Sequence, residues 1–135
     1  SAGYVALSRI LTRETTDQMN ALGDRLRAKL NDLASKHAVP MVATGFGSIF
    51  GIHFHEGKIR NIDDLDQGEA GREAEVADLK KLFHLDMIDC GIYISRRIMG
   101  NLSVETTQAE TDKLLAAVDE FLASRKNLLK AVFNR

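Results

Sequence analysis

The apolar positions fall into blocks with two different periods. Met19, Leu22, Leu26, Leu30 and Leu33 recur at spacings of three and four, with Asp24, Arg25, Arg27, Lys29 and Asp32 on the remaining faces. That is the stripe of a long amphipathic helix. Its start is expected in Arg13-Glu14-Thr15-Thr16, where a hydroxyl can cap the first turn, and its end near Lys36-His37, whose cationic side chains suit the negative helix terminus. Before it, Ala2 to Leu11 is apolar on almost all sides and free of breakers, so it reads as a helix that wants to be buried. After it, Pro40, the single proline, opens an extended segment. Met41 to Thr44 reads as a strand, Gly45-Phe46-Gly47 as a bend, and Ser48 to His55 as a second strand. Period two puts Phe50, Ile52 and Phe54 on its core face and Ile49, Gly51, His53 and His55 on the other.

From Glu56 to Gly71 the chain is polar and acidic with three glycines and no period, which predicts a surface loop. Helical spacing returns over Arg72 to Asp89, placing Val76, Leu79, Leu82, Phe83, Met87 and Ile88 along one face, with Gly91 as the left-handed stop. Cys90 to Thr107 then reads as two strands, Ile92 to Ile94 and Leu102 to Val104, about a turn at Gly100, with the Arg96-Arg97 pair at a strand end. Thr107-Gln108-Ala109-Glu110 has the form of a capping box ahead of Leu114, Leu115, Val118, Phe121 and Leu122, in a helix running to about Asn127. The fold class expected is α+β: a small antiparallel or mixed sheet of three to four strands with helices packed on one face.

Composition narrows the function classes. A chain of 135 residues with 44% hydrophobic content supports one domain with its own core. The net charge of -1 with both signs interspersed leaves no basic stripe for nucleic acid and no polybasic segment for a membrane surface. Apolar runs are strand-sized, far below the roughly 20 residues that span a bilayer. The lone Cys90 excludes an internal disulfide framework and fits a cytoplasmic setting. The sequence starts at Ser1 without a methionine or a signal-like region, as expected of a processed product, a fragment or a trimmed chain.

Candidate chemistry is sparse. Gly45, Gly47 and Gly51 loosely resemble a phosphate cradle, but no Lys-Ser/Thr follows and they interrupt strands instead of opening a helix. His53 and His55 have a spacing used by metal sites, but no third ligand is specified locally, so half-buried or solvated histidines beside a polar loop are the reading preferred, with no metal. Cys90 stands at a helix C-terminus, where the dipole raises a thiol pKa and disfavours nucleophilic catalysis. The lysines lie on predicted helix faces or in the acidic loop, and none reads as a buried Schiff-base lysine. Arg96-Arg97 remains: two adjacent guanidiniums on a nearly neutral chain fit either a carboxylate or phosphate site or a charged strand edge that blocks sheet addition.

Four stretches in order carry a family resemblance: Ser1 to Leu7 (SAGYVAL), Gly45 to Phe54 (GFGSIFGIHF), His55 to Asn61 (HEGKIRN) and Cys90 to Arg97 (CGIYISRR), closed by a helix over Thr107 to Ser124. Together they resemble the C-terminal part of class III pyridoxal-phosphate aminotransferases, close to the glutamate-1-semialdehyde aminomutases and β-amino-acid aminotransferases. The resemblance implies a small domain over residues 14–135, with 1–13 the connecting helix from a missing N-terminal large domain, and a homodimeric parent enzyme. The family's cofactor lysine, pyridine-nitrogen aspartate and Gly-Thr phosphate contact all match positions upstream of Ser1. The resemblance therefore implies no catalytic or cofactor-binding residue in this chain, no pyridoxal phosphate bound to it alone, and no transamination by it alone.

In many members a carboxylate-binding arginine lies in an Ile-Arg-x-x-Pro-Pro run, whereas Leu102 to Thr106 has neither arginine nor proline. Where the aminomutases have an uncharged Ala-Pro-Ser-Gln, this chain has Ser95-Arg96-Arg97, as in the β-amino-acid branch. Arg96 and Arg97 are accordingly the candidate contacts to the carboxylate of an amino or keto acid. The alternative is a free-standing, non-catalytic interaction or dimerisation module that associates through the apolar helix over Ala2 to Leu11.

Overall fold

The longest apolar stripe sets the frame. In the computed structural model, which describes residues 1–134, helix α2 spans Arg13–His37 and buries Leu22, Leu26, Leu30 and Ala34 along one side. Its N-cap is Thr12, one residue ahead of the expected range: Thr12 is extended, and its Oγ1 accepts the Thr15 amide at 3.2 Å. At the other end Ala38 takes the left-handed conformation and the Val39 amide reaches back to the Ala34 carbonyl at 3.1 Å, turning the chain toward Pro40.

Strands β1 (Val42–Phe46), β2 (Ile49–His53) and β3 (Met99–Asn101) form an antiparallel sheet in the order β1-β2-β3. Ala43 pairs with Ile52, and Phe50 with both Gly45 and Gly100. Residues opposite one another share a face, so Ala43, Phe50 and Ile52 point inward, and all three are buried. The core they enter is completed by α2, α4 (Glu73–Asp89) and α5 (Gln108–Phe133). At its centre Phe54, Phe83 and Phe121 bring together the end of β2, α4 and α5, with ring centroids 5.0 to 6.1 Å apart and two of the three contacts edge-to-face. The architecture is α+β, with helices against one face of a three-stranded sheet.

Polar groups on α2 hold the sheet alongside its leucines. The Asn31 side chain donates to the Ala43 carbonyl at 3.1 Å and accepts the Ala43 amide at 2.8 Å, pairing the free edge of β1. The mostly buried Arg27 guanidinium donates to the Gly47 and Ile49 carbonyls at 2.5 and 2.8 Å and pairs with Asp24. Asn20 accepts the Ser48 amide at 3.1 Å. Between them Gly23 lets the helix touch the turn: a Cβ there would lie 2.0 Å from the Gly47 carbonyl oxygen. Farther along, His37 and Lys36 tie α2 to Asp119 of α5, and these bonds hold the Asp119 carboxyl below the usual carboxylate range.

Five features differ from the sequence reading. Residues 56–71 contain a helix, α3 (Ile62–Glu69), because Asn61 caps it by accepting the Asp64 amide at 2.9 Å and Arg60 grips the Asp64 carboxylate. Ile92 to Ile94 is extended but unpaired, and Leu102 to Val104 is also not a strand; β3 lies between them, so Gly100 is a strand residue and the turn falls at Arg96-Arg97. Ile88 is exposed, leaving Val76, Leu79, Phe83 and Met87 as the buried face of α4. Helix α5 continues past Asn127 to Phe133, since Leu129 and Phe133 are buried and Arg72 lies over the Phe133 ring at 5.0 Å. Finally, α1 (Ala2–Val5) and the π-helical turn over Ala6–Ile10 are helical as expected, but Tyr4, Val5, Leu7 and Ile10 are exposed. The capping box of α5 and the Gly91 stop of α4 are both present. No helix among the described residues is long and apolar enough to cross a membrane.

Removing the edge clasp tests this frame. Asn31→Ala is expected to lower stability by about 1–3 kcal/mol, two hydrogen bonds at roughly 0.5–1.5 each, with Asn31→Asp intermediate, as read by urea unfolding. An unchanged midpoint would show that the edge of β1 does not need the amide.

Candidate functional site

The Arg96-Arg97 pair occupies the two central positions of a tight turn. Its ends are closed by the Ile98 amide donating to the Ser95 carbonyl at 2.8 Å. The Ser95 hydroxyl donates to the Met99 carbonyl at 3.1 Å and accepts the Met99 amide at 3.3 Å, which pairs the outer edge of β3 at Met99. Upstream, Ile94 is buried and its carbonyl is bonded to His84 Nδ1 of α4 at 2.7 Å, while Tyr93 stands exposed with its ring edge-on to His84. Both arginines are exposed, and among the described residues neither takes part in an ion pair or hydrogen bond.

Ile98 gives the turn its rigidity. It is fully buried, yet its φ is +53°, a left-handed conformation that a β-branched residue adopts only under constraint. Three contacts impose it: the side chain in the core, the amide on Ser95, and the carbonyl accepting the Ile52 amide at 2.9 Å. Such a conformation costs on the order of 1–3 kcal/mol, which the surrounding contacts must outweigh. Nothing in the sequence marks this position, because isoleucine is the residue type least associated with positive φ. Serine ahead of a polar pair was the available signal for the turn itself.

Two surfaces flank the turn. Toward the core, an open groove of about 370 Å³ runs along Tyr93, Ser95, Met99, Leu102 and Glu110, and the two arginines lie outside its lining. On the outer face of the sheet, Phe46 is 87% exposed, Ile49 52% and Met99 50%, an apolar surface that no part of the described chain covers.

His53 and His55 do not converge. His53, half-buried on the outer face, bonds Thr44 Oγ1 at 2.9 Å; burial, and after it the Lys80 charge, lowers its pKa below the ordinary 6.5. His55 is only 4% exposed because α3 roofs it, and its Nε2 donates to the Asp64 carbonyl at 2.9 Å. No cluster of three or more potential ligands for a metal ion occurs among the described residues. Cys90 is free and exposed.

Five of the eight lysines are engaged by the chain itself and do not fit the anchoring of pyridoxal phosphate, which calls for a desolvated neutral amine. Lys80 is held by Glu69 at 2.7 Å, Lys36 by Asp119 at 2.9 Å, Lys81 by Asp78 at 2.8 Å and Lys29 by Asp112 at 3.5 Å, while Lys113 donates to the Gly91 carbonyl. No step through the cofactor is assigned to these residues.

Two outcomes follow from this geometry. Ile98→Ala is expected to cost about 2–5 kcal/mol from lost burial, and Ile98→Gly to cost no more than that, reversing the usual order by relieving the left-handed strain; equilibrium unfolding of the pair measures it. For His53, the folded state binds a proton less readily than the unfolded state. Stability therefore falls as pH drops from 6.5 toward the lower folded-state pKa, and His53→Gln is expected to lose less stability than the parent between pH 7.5 and 5.5.

Comparison with known proteins places the chain. No family model matches it. It is 35% identical over 131 residues to an uncharacterised aminotransferase of Schizosaccharomyces pombe and 33% identical over 129 residues to the β-phenylalanine transaminase of Variovorax paradoxus, covering 96% of this chain each time. A glutamate-1-semialdehyde 2,1-aminomutase of Macrococcus caseolyticus is 31% identical over 126 residues, 90% of this chain. The solved structure of the Variovorax paradoxus aminotransferase superposes with a TM-score of 0.85 over 95% of the chain. The chain spans 27–28% of the length of these relatives. Over nearly all of its length it matches the C-terminal region of the class III pyridoxal-phosphate-dependent aminotransferases.

Proposed function

We propose that this chain is the small, substrate-facing domain of an aminotransferase acting on a carboxylate-bearing amino acid, with Arg96, Arg97 or both binding the substrate carboxylate. The observation that carries the reading is the turn itself: two exposed guanidiniums with no partner among the described residues, on a turn pinned by Ser95 and the strained Ile98. Fixing the backbone beneath a cation lowers the entropy cost of a bidentate contact to carboxylate. Residues 14–135 form the small domain in this reading and 1–13 the connection to a large domain that holds pyridoxal phosphate. The apolar outer face at Phe46, Ile49 and Met99 and the exposed side of α1 are the surfaces that domain would cover. The holoenzyme is proposed to be a cytoplasmic homodimer using an amino acid and a keto acid, and this chain by itself to be inactive.

A second reading draws on the same exposed Tyr4, Val5, Leu7 and Ile10: a stand-alone module that associates through α1. The intact mass of the gene product separates the two. A polypeptide more than three times as long as this chain supports the first, and one that begins at Ser1 supports the second.

In the full-length protein, Arg96→Ala or Arg97→Ala is expected to lower kcat/KM for amino and keto acids by about 10- to 150-fold, the equivalent of 1.5–3 kcal/mol for a charged hydrogen bond, while cofactor absorbance stays unchanged. Unaltered kinetics in both variants would return the pair to a charged turn without a ligand.

A further inference from the structure

We propose that α3 is a hinged strap that undocks as a unit while the rest of the domain stays folded, and that the Lys80–Glu69 ion pair is its latch. Its attachment differs in kind from that of the other helices. Helices α2, α4 and α5 each bury four or more side chains, whereas α3 buries none and leaves Ile62 exposed. Gly57 and Gly71, on either side of the segment, have φ of +85° and +78° with nothing within 4 Å of where a Cβ would stand, so the segment is flanked by two glycines that no neighbour packs against on that side. Arg60 and Asn61 bond only to Asp64, within the segment itself.

The polar contacts that hold α3 to the body are few, and Leu65 is its one apolar side chain that is even half-buried. His55 Nε2 donates to the Asp64 carbonyl at 2.9 Å, and Lys80 of α4 reaches Glu69 at 2.7 Å with both side chains largely shielded. The seat is the His55 ring, on which the α3 backbone rests so closely that a Cβ at Gly68 would lie 1.9 Å from Nε2. A segment joined by one hydrogen bond, one ion pair, one backbone-to-ring contact and one half-buried leucine, Leu65, has an opening free energy set by those ties and not by the core.

Opening changes the charge on the outer face. With α3 docked, Glu69 neutralises Lys80, whose charge acts on His53; released, it leaves that ammonium unpaired near the end of β2, where His53 bonds Thr44 of β1. The strap thereby sets the local charge beside the sheet face without any movement of the sheet.

Hydrogen exchange on the intact protein tests this. Amides of 62–69 are expected to exchange at least about tenfold faster than those of 76–87 in α4, through an opening that leaves α2 and α5 protected. Lys80→Met and Glu69→Gln, which break the latch from opposite sides, should each raise exchange in 62–69 by about fivefold or more without changing α2 or α5. Gly68→Ala should do the same by unseating the helix from His55. Restoring the pair in reverse, Lys80→Glu with Glu69→Lys, should recover protection. Protection of 62–69 equal to that of α4, or a loss spread equally over α4 and α5 in the latch variants, would overturn the proposal.

Discussion

A three-stranded sheet has two free edges and only one face that a core can cover, and the structure depends on how those edges are closed. Each is clasped at one residue by a short polar side chain that both donates and accepts there: Asn31 on Ala43 of β1, and Ser95 on Met99 of β3. An open edge would leave backbone groups to pair with another chain. The consequences differ at the two sides. On β1 the clasp comes from α2, so closing the edge also docks the sheet on the longest apolar stripe. On β3 it comes from the turn that carries Arg96 and Arg97, so closing the edge also fixes the candidate site.

The candidate site thus takes its rigidity from fold-forming interactions. Ile98 belongs to the core through its side chain, to β2 through its carbonyl and to the turn through its amide. Its positive φ is the geometric result of satisfying all three. A turn held in this way keeps two cations at the surface without an internal anion to order them, which is an arrangement suited to an external one. By contrast, α3 carries several charges but is tied by few contacts, so the two polar regions of the domain differ in stiffness.

Much of this was written in local patterns. The stripe of α2, the inward set Phe50, Ile52 and Phe54, the capping box at Thr107 and Glu110, and the stop at Gly91 all rest on interactions within a few residues, or on a period that one element imposes. The acidic stretch after Glu56 misled because α3 is only eight residues long with two apolar side chains, Ile62 and Leu65, too few to show a helical period. The segment after Gly91 misled for the opposite reason. Ile92 to Ile94 has the composition of a strand, yet its backbone bonds to α4, the Ile92 amide to the Met87 carbonyl and the Ile94 carbonyl to the His84 imidazole, and pairing passes instead to Met99–Asn101.

The sequence by itself determined α2, α4, α5, the core face of β2 and the likeness to class III aminotransferases, because periodicity, caps and ordered motifs are properties of neighbouring residues. It also singled out Arg96 and Arg97. Only the tertiary structure decided that they sit on a turn and not a strand end, that Ser95 and Ile98 hold that turn, and that His55 is enclosed while His53 is half-exposed. Those outcomes turn on hydrogen bonds and contacts between residues distant in the chain, such as Ile52 to Ile98 and Gly68 against His55, and distance along the chain leaves no periodic trace.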